Sequence, residues 1–183
     1  MKRGVRIAAF ATAPISKREV DTLLVCIIGR EGCIEGVLSS RVRINGTDST
    51  GAIIDTLRRS RFRDQIRVIA LNGISMAGLN IVDATRLEKT MGAKLVVLTR
   101  RRPSKARMLS AVRRFYGADR ASRERAVSLL ESIVRSVHID GFYVYCESTG
   151  PDINNIVCTA YELLRIAHMV ARGVSTGESA GRI

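Results

Sequence analysis

Branched apolar residues are concentrated in three segments of the first third of the chain. Val5–Thr12, Thr22–Gly29 and Cys33–Ile44 are rich in such residues, and glycine or charged residues separate them. This composition is typical of β-strands. Because connections this short join antiparallel neighbours, the three segments predict an antiparallel meander.

The hydrophobic period becomes helical after the third predicted strand. Ala52, Ile53 and Leu57 recur at helical spacing behind the polar residues 47–50, so these positions predict a helix with its amino-terminal cap among them. The run Ile66–Ser75 then predicts a strand, bounded by Asn72-Gly73, that is buried on both faces of a sheet.

A second helix and a further strand follow in the same order. Asp83 is expected to cap a helix that runs to about Met91 and ends at Gly92, and Lys94–Thr99 is a continuous apolar strand. A unit of strand, helix and strand implies parallel pairing of its two strands.

Three further regions complete the predicted fold. The basic segment Ser104–His138 predicts two helices, residues 141–147 predict a strand, and a last helix begins with Pro151 in its first turn and ends before Gly173. No repeat or linker divides the chain, so residues 1–183 are expected to form one domain. The order predicts an α/β fold with a ribonuclease H-like mixed sheet, in which three antiparallel strands precede βαβ units and helices cover both faces.

The charge balance narrows the possible functions. The chain carries 30 Lys and Arg against 17 Asp and Glu, a net charge of +13, and 25 of the basic residues are arginine. A guanidinium group binds phosphate through two hydrogen bonds, so the expected partner is nucleic acid, free or in a ribonucleoprotein such as the ribosome. No apolar run approaches the length of a membrane span, and no signal peptide is evident, so a cytoplasmic protein is expected.

Two arginine-rich segments, Arg58–Arg67 and Arg100–Arg125, carry much of this charge, and nearly all of their charged residues are basic. Charge runs are ordinarily solvated faces, but segments of one sign repel themselves unless a partner screens them. Aromatic residues make up 4% of the chain and Trp is absent, so contacts to phosphate are expected rather than base stacking. The candidate nucleic-acid-binding residues are Arg58, Arg59, Arg61, Arg63, Arg100, Arg101, Arg102, Lys105, Arg107, Arg113 and Arg114.

Three segments carry a resemblance to a known family. They are Gly36–Thr50 ("GVLSSRVRINGTDST"), Arg67–Asp83 ("RVIALNGISMAGLNIVD") and Leu163–Arg182, and together they resemble the archaeal endonuclease dU family, a distant relative of endonuclease V. The resemblance runs from about Arg6 to the end of the chain. It implies a ribonuclease H-like fold and, where the site is intact, metal-dependent cleavage of nucleic acid beside an altered base.

The chain departs from that family at the acidic positions. Where the family has two aspartates at the end of the first strand, this chain has Ala11 and Thr12, and the family's Leu-Asp-Gly after the fourth strand becomes Leu-Asn-Gly at Asn72. Related endonuclease V enzymes have a glutamate at the position of Val42. Among the site positions that the resemblance implies, His168 remains, and it matches the family's histidine on the last helix.

These departures remove the ligands that the chemistry needs. Phosphodiester hydrolysis at such a site uses Mg²⁺ or Mn²⁺, and these hard ions require anionic oxygen ligands. We therefore expect no intact catalytic residue, no metal and no cofactor. Changes from Asp to Ala and from Asp to Asn resemble deliberate inactivation, but Ala13 and Ile15 also differ from the family pattern, which favours natural divergence.

The main hypothesis is a non-catalytic nucleic-acid-binding protein, of DNA or RNA, on a degenerate endonuclease scaffold. One alternative is an active endonuclease that cleaves near deoxyuridine or inosine, with Mg²⁺ or Mn²⁺ at a site rebuilt by Asp48 or Asp83, although helix capping is the simpler role of both. Another is an interaction subunit with an acidic protein partner. His168 is either a relic of the active site or a core-edge histidine, and Gly73 and Gly78 form a tight loop or let the backbone approach a ligand.

Overall fold

Three antiparallel strands begin the fold, as predicted. The computed structural model describes residues 4–16, 18–100, 104–115, 120–121, 123–124, 127, 135–139, 142–146 and 152–180. The first strands are β1 (Ile7–Thr12), β2 (Asp21–Arg30) and β3 (Cys33–Arg43). β2 pairs antiparallel with both β1 and β3, which confirms the meander.

Parallel strands extend the sheet on the other side of β1. The helix α1 (Ser49–Arg58) precedes β4 (Val68–Asn72), and α2 (Ala84–Met91) precedes β7 (Lys94–Thr99). β4 pairs parallel with β1, and β7 pairs parallel with β4. Both predicted crossover units are therefore present.

A short hairpin follows β4 where the sequence predicted a loop. β5 (Ser75–Met76) and β6 (Asn80–Ile81) pair antiparallel. Ala77 and Gly78 connect them with φ values of 42° and 86°. Glycine adopts this left-handed region without steric cost, which makes so tight a connection possible.

The basic segment contains one helix that was predicted and one strand that was not. α3 (Lys105–Phe115) confirms the first predicted helix, but Arg135–Ile139 forms β8 instead of the end of a second helix. β8 pairs with β9 (Phe142–Cys146), and β9 pairs antiparallel with β7. Val137 and Ile139 are β-branched and alternate along the segment, which suits a strand once β9 offers a partner.

The final helix, α4 (Ile153–Thr176), is longer than the sequence predicted. Pro151, the predicted first-turn residue, lies outside the described residues. The helix continues through Gly173 and ends at Gly177, whose φ is 84°. A glycine inside a helix costs only about 1 kcal/mol, so it does not stop a helix whose buried stripe extends to Ala171. Within the described part of the chain, no helix combines the length and the apolarity that a bilayer crossing requires.

Helices cover both faces of one sheet. In the part of the chain that the structure describes, the main sheet has seven strands in the order β3-β2-β1-β4-β7-β9-β8. Successive side chains of a strand point to opposite faces. Ala8 and Phe10 of β1 accordingly join the core under α1 and α2, whereas Ala9 and Ala11 join the core under α4.

Candidate functional site

The carboxyl-terminal ends of β1, β4 and β7 meet at one edge of the sheet. Phe10 pairs with Leu71, so the next residues along these two strands are Ala11 and Asn72. Asn72 in turn pairs with Leu98 of β7. This edge is the place where ligands bind in open α/β sheets, beyond the carboxyl ends of the strands.

The carboxyl-terminal half of α4 lies over the same edge. Residues Asp152 and Ile156, near the start of α4, line a cavity with Val5 and Ile7, at the start of β1. The helix therefore runs along β1 from its start towards its end. We define the carboxyl-edge site as Ala11, Thr12, Asn72 and Arg100, at the carboxyl ends of β1, β4 and β7, together with His168 in the carboxyl-terminal half of α4.

His168 is a partly buried, neutral group at this site. Burial lowers the pKa of its imidazole, and the positive charge of Arg172, one turn further along α4, lowers the pKa again. The ordinary histidine pKa is near 6.5, so a lowered pKa favours the neutral ring at pH 7, and this form presents one donor and one acceptor. Arg172 is a site residue that the sequence analysis did not single out.

The donor set of the carboxyl-edge site does not fit a divalent metal ion. Ala11 offers a buried methyl group, Thr12 a hydroxyl and Asn72 a neutral amide. Val42, at the position where related enzymes have a glutamate, is buried in the core. Mg²⁺ and Mn²⁺ need carboxylate ligands, and the described residues include no group of three His, Cys, Asp or Glu side chains placed to bind a metal.

Asp83, one of the two carboxylates nearest the family motifs, caps a helix. Its carboxylate accepts a hydrogen bond from Arg86 N at 2.9 Å, at the start of α2. The sequence-based expectation for Asp83 is confirmed, and its carboxylate is directed at the helix.

The expectation that the Asp48 side chain caps α1 is wrong. Asp48 occupies the cap position, but its side chain makes no cap hydrogen bond. Instead the carboxylate accepts from Arg43 N at 3.2 Å and from Asn80 Nδ2 at 2.7 Å. The carboxylate thereby closes the turn between β3 and α1.

Asn80 supplies the cap that Asp48 does not. Its side chain is fully buried, and its Oδ1 accepts from Ser49 N at 3.0 Å, the first amide of α1. Its Nδ2 also donates to Arg43 O at 2.9 Å. No local sequence pattern indicates this role, because Asn80 is far from α1 along the chain.

Arg123 fastens the β5–β6 hairpin to the turn that follows β3. The residue is helical and only 4% exposed, and its guanidinium donates to Asn45 O at 2.7 Å and to Leu79 O. Asn45 Oδ1 accepts from Leu79 N at 2.9 Å. A Cβ at Gly78 would stand 2.1 Å from that oxygen, so the close approach requires glycine. Gly78 is therefore explained by packing of the hairpin.

Arg100 directs its side chain across the sheet towards α4. Its Nη2 donates to the hydroxyl of Tyr161 at 3.3 Å. Tyr161 is thus another residue that the sequence analysis missed, since only the tertiary fold brings it beside the end of β7. Arg101 and Arg102 lie outside the described residues.

The basic residues of α3 lie on the other side of the sheet. Met108 and Leu109 of this helix pack against the core under α1 and α2. Arg113 Nε and Arg120 Nε lie 2.8 and 2.9 Å from a Glu124 carboxylate oxygen, and these two hydrogen bonds lower the pKa of Glu124. The exposed candidate residues of α3 are Arg107, Arg113 and Arg114, and Lys105 is partly buried.

The remaining candidate arginines lie at the opposite edge of the sheet. We define the arginine loop as residues 58–67, with Arg58, Arg59, Arg61, Arg63 and Arg67 all exposed. Arg67 immediately precedes β4, whereas Asn72 ends it. At about 3.3 Å per residue, Arg67 and Asn72 are roughly 17 Å apart along this strand. The structure therefore does not unite the predicted nucleic-acid-binding residues in one surface.

Comparisons with known proteins agree on one family. A profile of endonuclease dU matches residues 3–175. A UPF0215 protein from Methanothermobacter thermautotrophicus is 33% identical over 99% of this chain and 93% of its own. A UPF0215 protein from Pyrococcus furiosus is 35% identical over 98% of this chain and 96% of its own.

Solved structures confirm the predicted fold class. A protein of unknown function from Archaeoglobus fulgidus has a TM-score of 0.79 and 28% identity, over 93% of this chain and 98% of that chain. Human endonuclease V has a TM-score of 0.50 and 10% identity, over 89% of this chain and 81% of that chain. At that identity the likeness shows a shared fold alone.

Proposed function

Because the chain belongs to the endonuclease dU family, we propose that it is a nucleic-acid-binding protein that does not hydrolyse its ligand. The proposal rests on the composition of the carboxyl-edge site. Ala11, Thr12 and Asn72 stand at its acid positions, Arg100 follows β7 at the same edge of the sheet, and His168 lies in the carboxyl-terminal half of α4. Such a site attracts a phosphate and lacks the groups that would cleave it.

The positive side chains account for the binding half of the proposal. Arg100 and Arg172 carry charge at the site, and a guanidinium group binds phosphate oxygens in a bidentate manner. Asn72 is exposed and offers an amide donor, and neutral His168 offers a ring N–H. The net charge of +13 adds a long-range attraction for polyanions.

The missing carboxylates are the reason for proposing that the protein does not hydrolyse its ligand. In phosphodiester hydrolysis a bound divalent ion activates water and neutralises the charge that develops on the leaving oxygen. Neither Asp48 nor Asp83 replaces the missing ligands, because the first is hydrogen-bonded to Arg43 N and Asn80 and the second caps α2. The ligand class is DNA or RNA backbone, including RNA in a ribonucleoprotein.

Salt dependence tests the binding. Labelled DNA and RNA duplexes are titrated with the protein between about 50 and 200 mM salt, and the affinity is expected to fall steeply as counterions are released. Arg100→Gln should reduce the slope of log affinity against log salt by about 1 if this side chain contacts a phosphate. Lys89→Gln removes one exposed charge in the last turn of α2, away from the carboxyl-edge site, and serves as the control. An affinity that does not respond to salt would exclude phosphate contacts.

A cleavage assay separates the proposal from an active endonuclease, the function that the family name itself favours. Uracil- and inosine-containing DNA and RNA are incubated with the protein and Mg²⁺ or Mn²⁺, and intact substrates are expected. Any cleavage should be repeated with Asp48→Asn, Asp83→Asn and His168→Gln. Cleavage that one of these changes abolishes would establish a rebuilt metal site and overturn the non-catalytic proposal.

A further inference from the structure

The arginine loop lies diagonally opposite the carboxyl-edge site. The two are at opposite ends of β4, as Arg67 and Asn72 show. They are also on opposite faces of the sheet. Phe62 and Ile66 of the loop belong to the core under α1 and α2, whereas Ala11 belongs to the core under α4. A straight segment of nucleic acid lying against one of these surfaces does not contact the other.

One aromatic anchor positions the arginine loop. The Phe62 side chain is buried against Gly36 of β3, where a Cβ would stand only 2.7 Å from the ring. Two guanidinium groups flank that ring, with Arg61 Cζ 4.9 Å and Arg6 Cζ 5.5 Å from its centroid. Glu35 binds Arg6 Nε at 2.5 Å and fixes this arginine to β3. The loop is therefore a packed element with a defined shape.

The charge of the loop is directed at solvent. Within the described part of the chain, the loop's one ion pair joins Arg63 Nε and Asp64 Oδ2 at 3.1 Å, and both side chains are exposed. Exposed pairs of this kind contribute little. Five guanidinium groups on one short loop repel one another unless an anion lies between them.

The surface fits a phosphate backbone better than an acidic protein. Stable protein interfaces contain an apolar centre. The apolar residues of the loop, Phe62 and Ile66, are buried in the protein core and offer no such centre. Backbone binding by nucleic-acid-binding proteins requires none, because charge and counterion release supply the affinity.

We infer that the arginine loop is a second phosphate-binding surface, and that one molecule of this protein binds two separate segments of nucleic acid. The inference rests on the proposed function and extends it, since it identifies the ligand as two duplexes or two arms of one folded nucleic acid. The carboxyl-edge site binds one segment, and the arginine loop binds the other.

A bridging assay tests this inference. One short duplex is biotinylated and immobilised, and a second duplex carries a fluorophore. The protein is added at a concentration where light scattering shows a monomer. We expect it to capture the fluorescent duplex on the immobilised one. The triple variant Arg58→Gln, Arg59→Gln and Arg61→Gln should still bind a single duplex but capture at least tenfold less of the second. A control with the same loss of charge, Arg86→Gln, Lys89→Gln and Arg165→Gln, should capture as the wild type does.

A second variant changes the loop without changing its charge. Gly36→Ala forces the Phe62 ring away from β3 while every arginine remains, so capture should fall severalfold. Gly51→Ala in α1, where a Cβ meets nothing within 4 Å, is the matched control and should have no effect. Circular dichroism and unfolding curves establish that both variants fold.

The outcomes separate the inference from the function on which it rests. Capture that survives the triple arginine variant, or wild-type protein that binds one duplex but captures none, would overturn the inference and leave the proposed function intact. Binding of an acidic peptide to the arginine loop in preference to a duplex would also overturn it. A protein that binds no nucleic acid in any form would overturn the proposed function itself.

Discussion

The charge state of His168 links one residue to the function proposed for it. Burial and Arg172 lower the pKa of its imidazole in the free protein. A phosphate bound at the carboxyl-edge site would stabilise the protonated ring, so nucleic acid should raise this pKa. Nuclear magnetic resonance of the imidazole protons with and without a duplex measures the shift. An unchanged pKa would place the phosphate away from His168.

The same lowered pKa makes folding stability depend on pH. Because the folded pKa lies below the ordinary value near 6.5, the unfolded chain binds more protons between these two values. The contribution of His168 to stability is therefore complete above about pH 6.5 and is lost as the pH falls towards the folded pKa. Urea unfolding across this range should show the loss in the wild type and a smaller loss in His168→Gln.

Among the structural elements, α1 depends on a residue outside itself. Asn80→Ala removes the acceptor for Ser49 N, which leaves a buried amide without its partner, and it removes one of two donors to Arg43 O, which keeps Gly46 N. We expect a cost of about 2–4 kcal/mol in the free energy of unfolding. Asp83→Ala removes an ordinary cap from α2 and should cost only about 1 kcal/mol. Chemical denaturation of both variants checks the order, and a larger effect for Asp83→Ala would contradict it.

The whole molecule is destabilised by its own charge. With a net charge of +13, the folded chain repels itself, and salt reduces that repulsion. The melting temperature should therefore rise between about 10 and 150 mM salt. A gain of about 1 kcal/mol would raise it by about 2–4 °C for a chain of this size. Affinity for nucleic acid should fall over the same range, so the two opposite trends can be measured on one sample series.

The sequence alone determined most of the linear order of strands and helices, apart from the β5–β6 hairpin and β8. β1 to β4, α2 and β7 lie within a few residues of their predicted positions, because branched residues, apolar periods and caps such as Asp83 act over short stretches of chain. The sequence also predicted that Ala11, Thr12 and Asn72 occupy the positions where the family has acidic residues, and this stays a prediction. The strand β8 was misread because its partner β9, and not its own spacing, decides its conformation.

Only the tertiary structure decided which of these residues act together. The sequence does not divide the candidate arginines into separate surfaces. In the structure, Arg100 lies beside Tyr161 of α4, whereas Arg61 packs over Phe62 at the opposite edge and face of the sheet. Asn80, which caps α1, lies in a segment that the sequence predicted to be a loop. Local periodicity specifies which side of an element is buried, but contacts between distant segments follow from how the sheet pairs and how its two faces are covered.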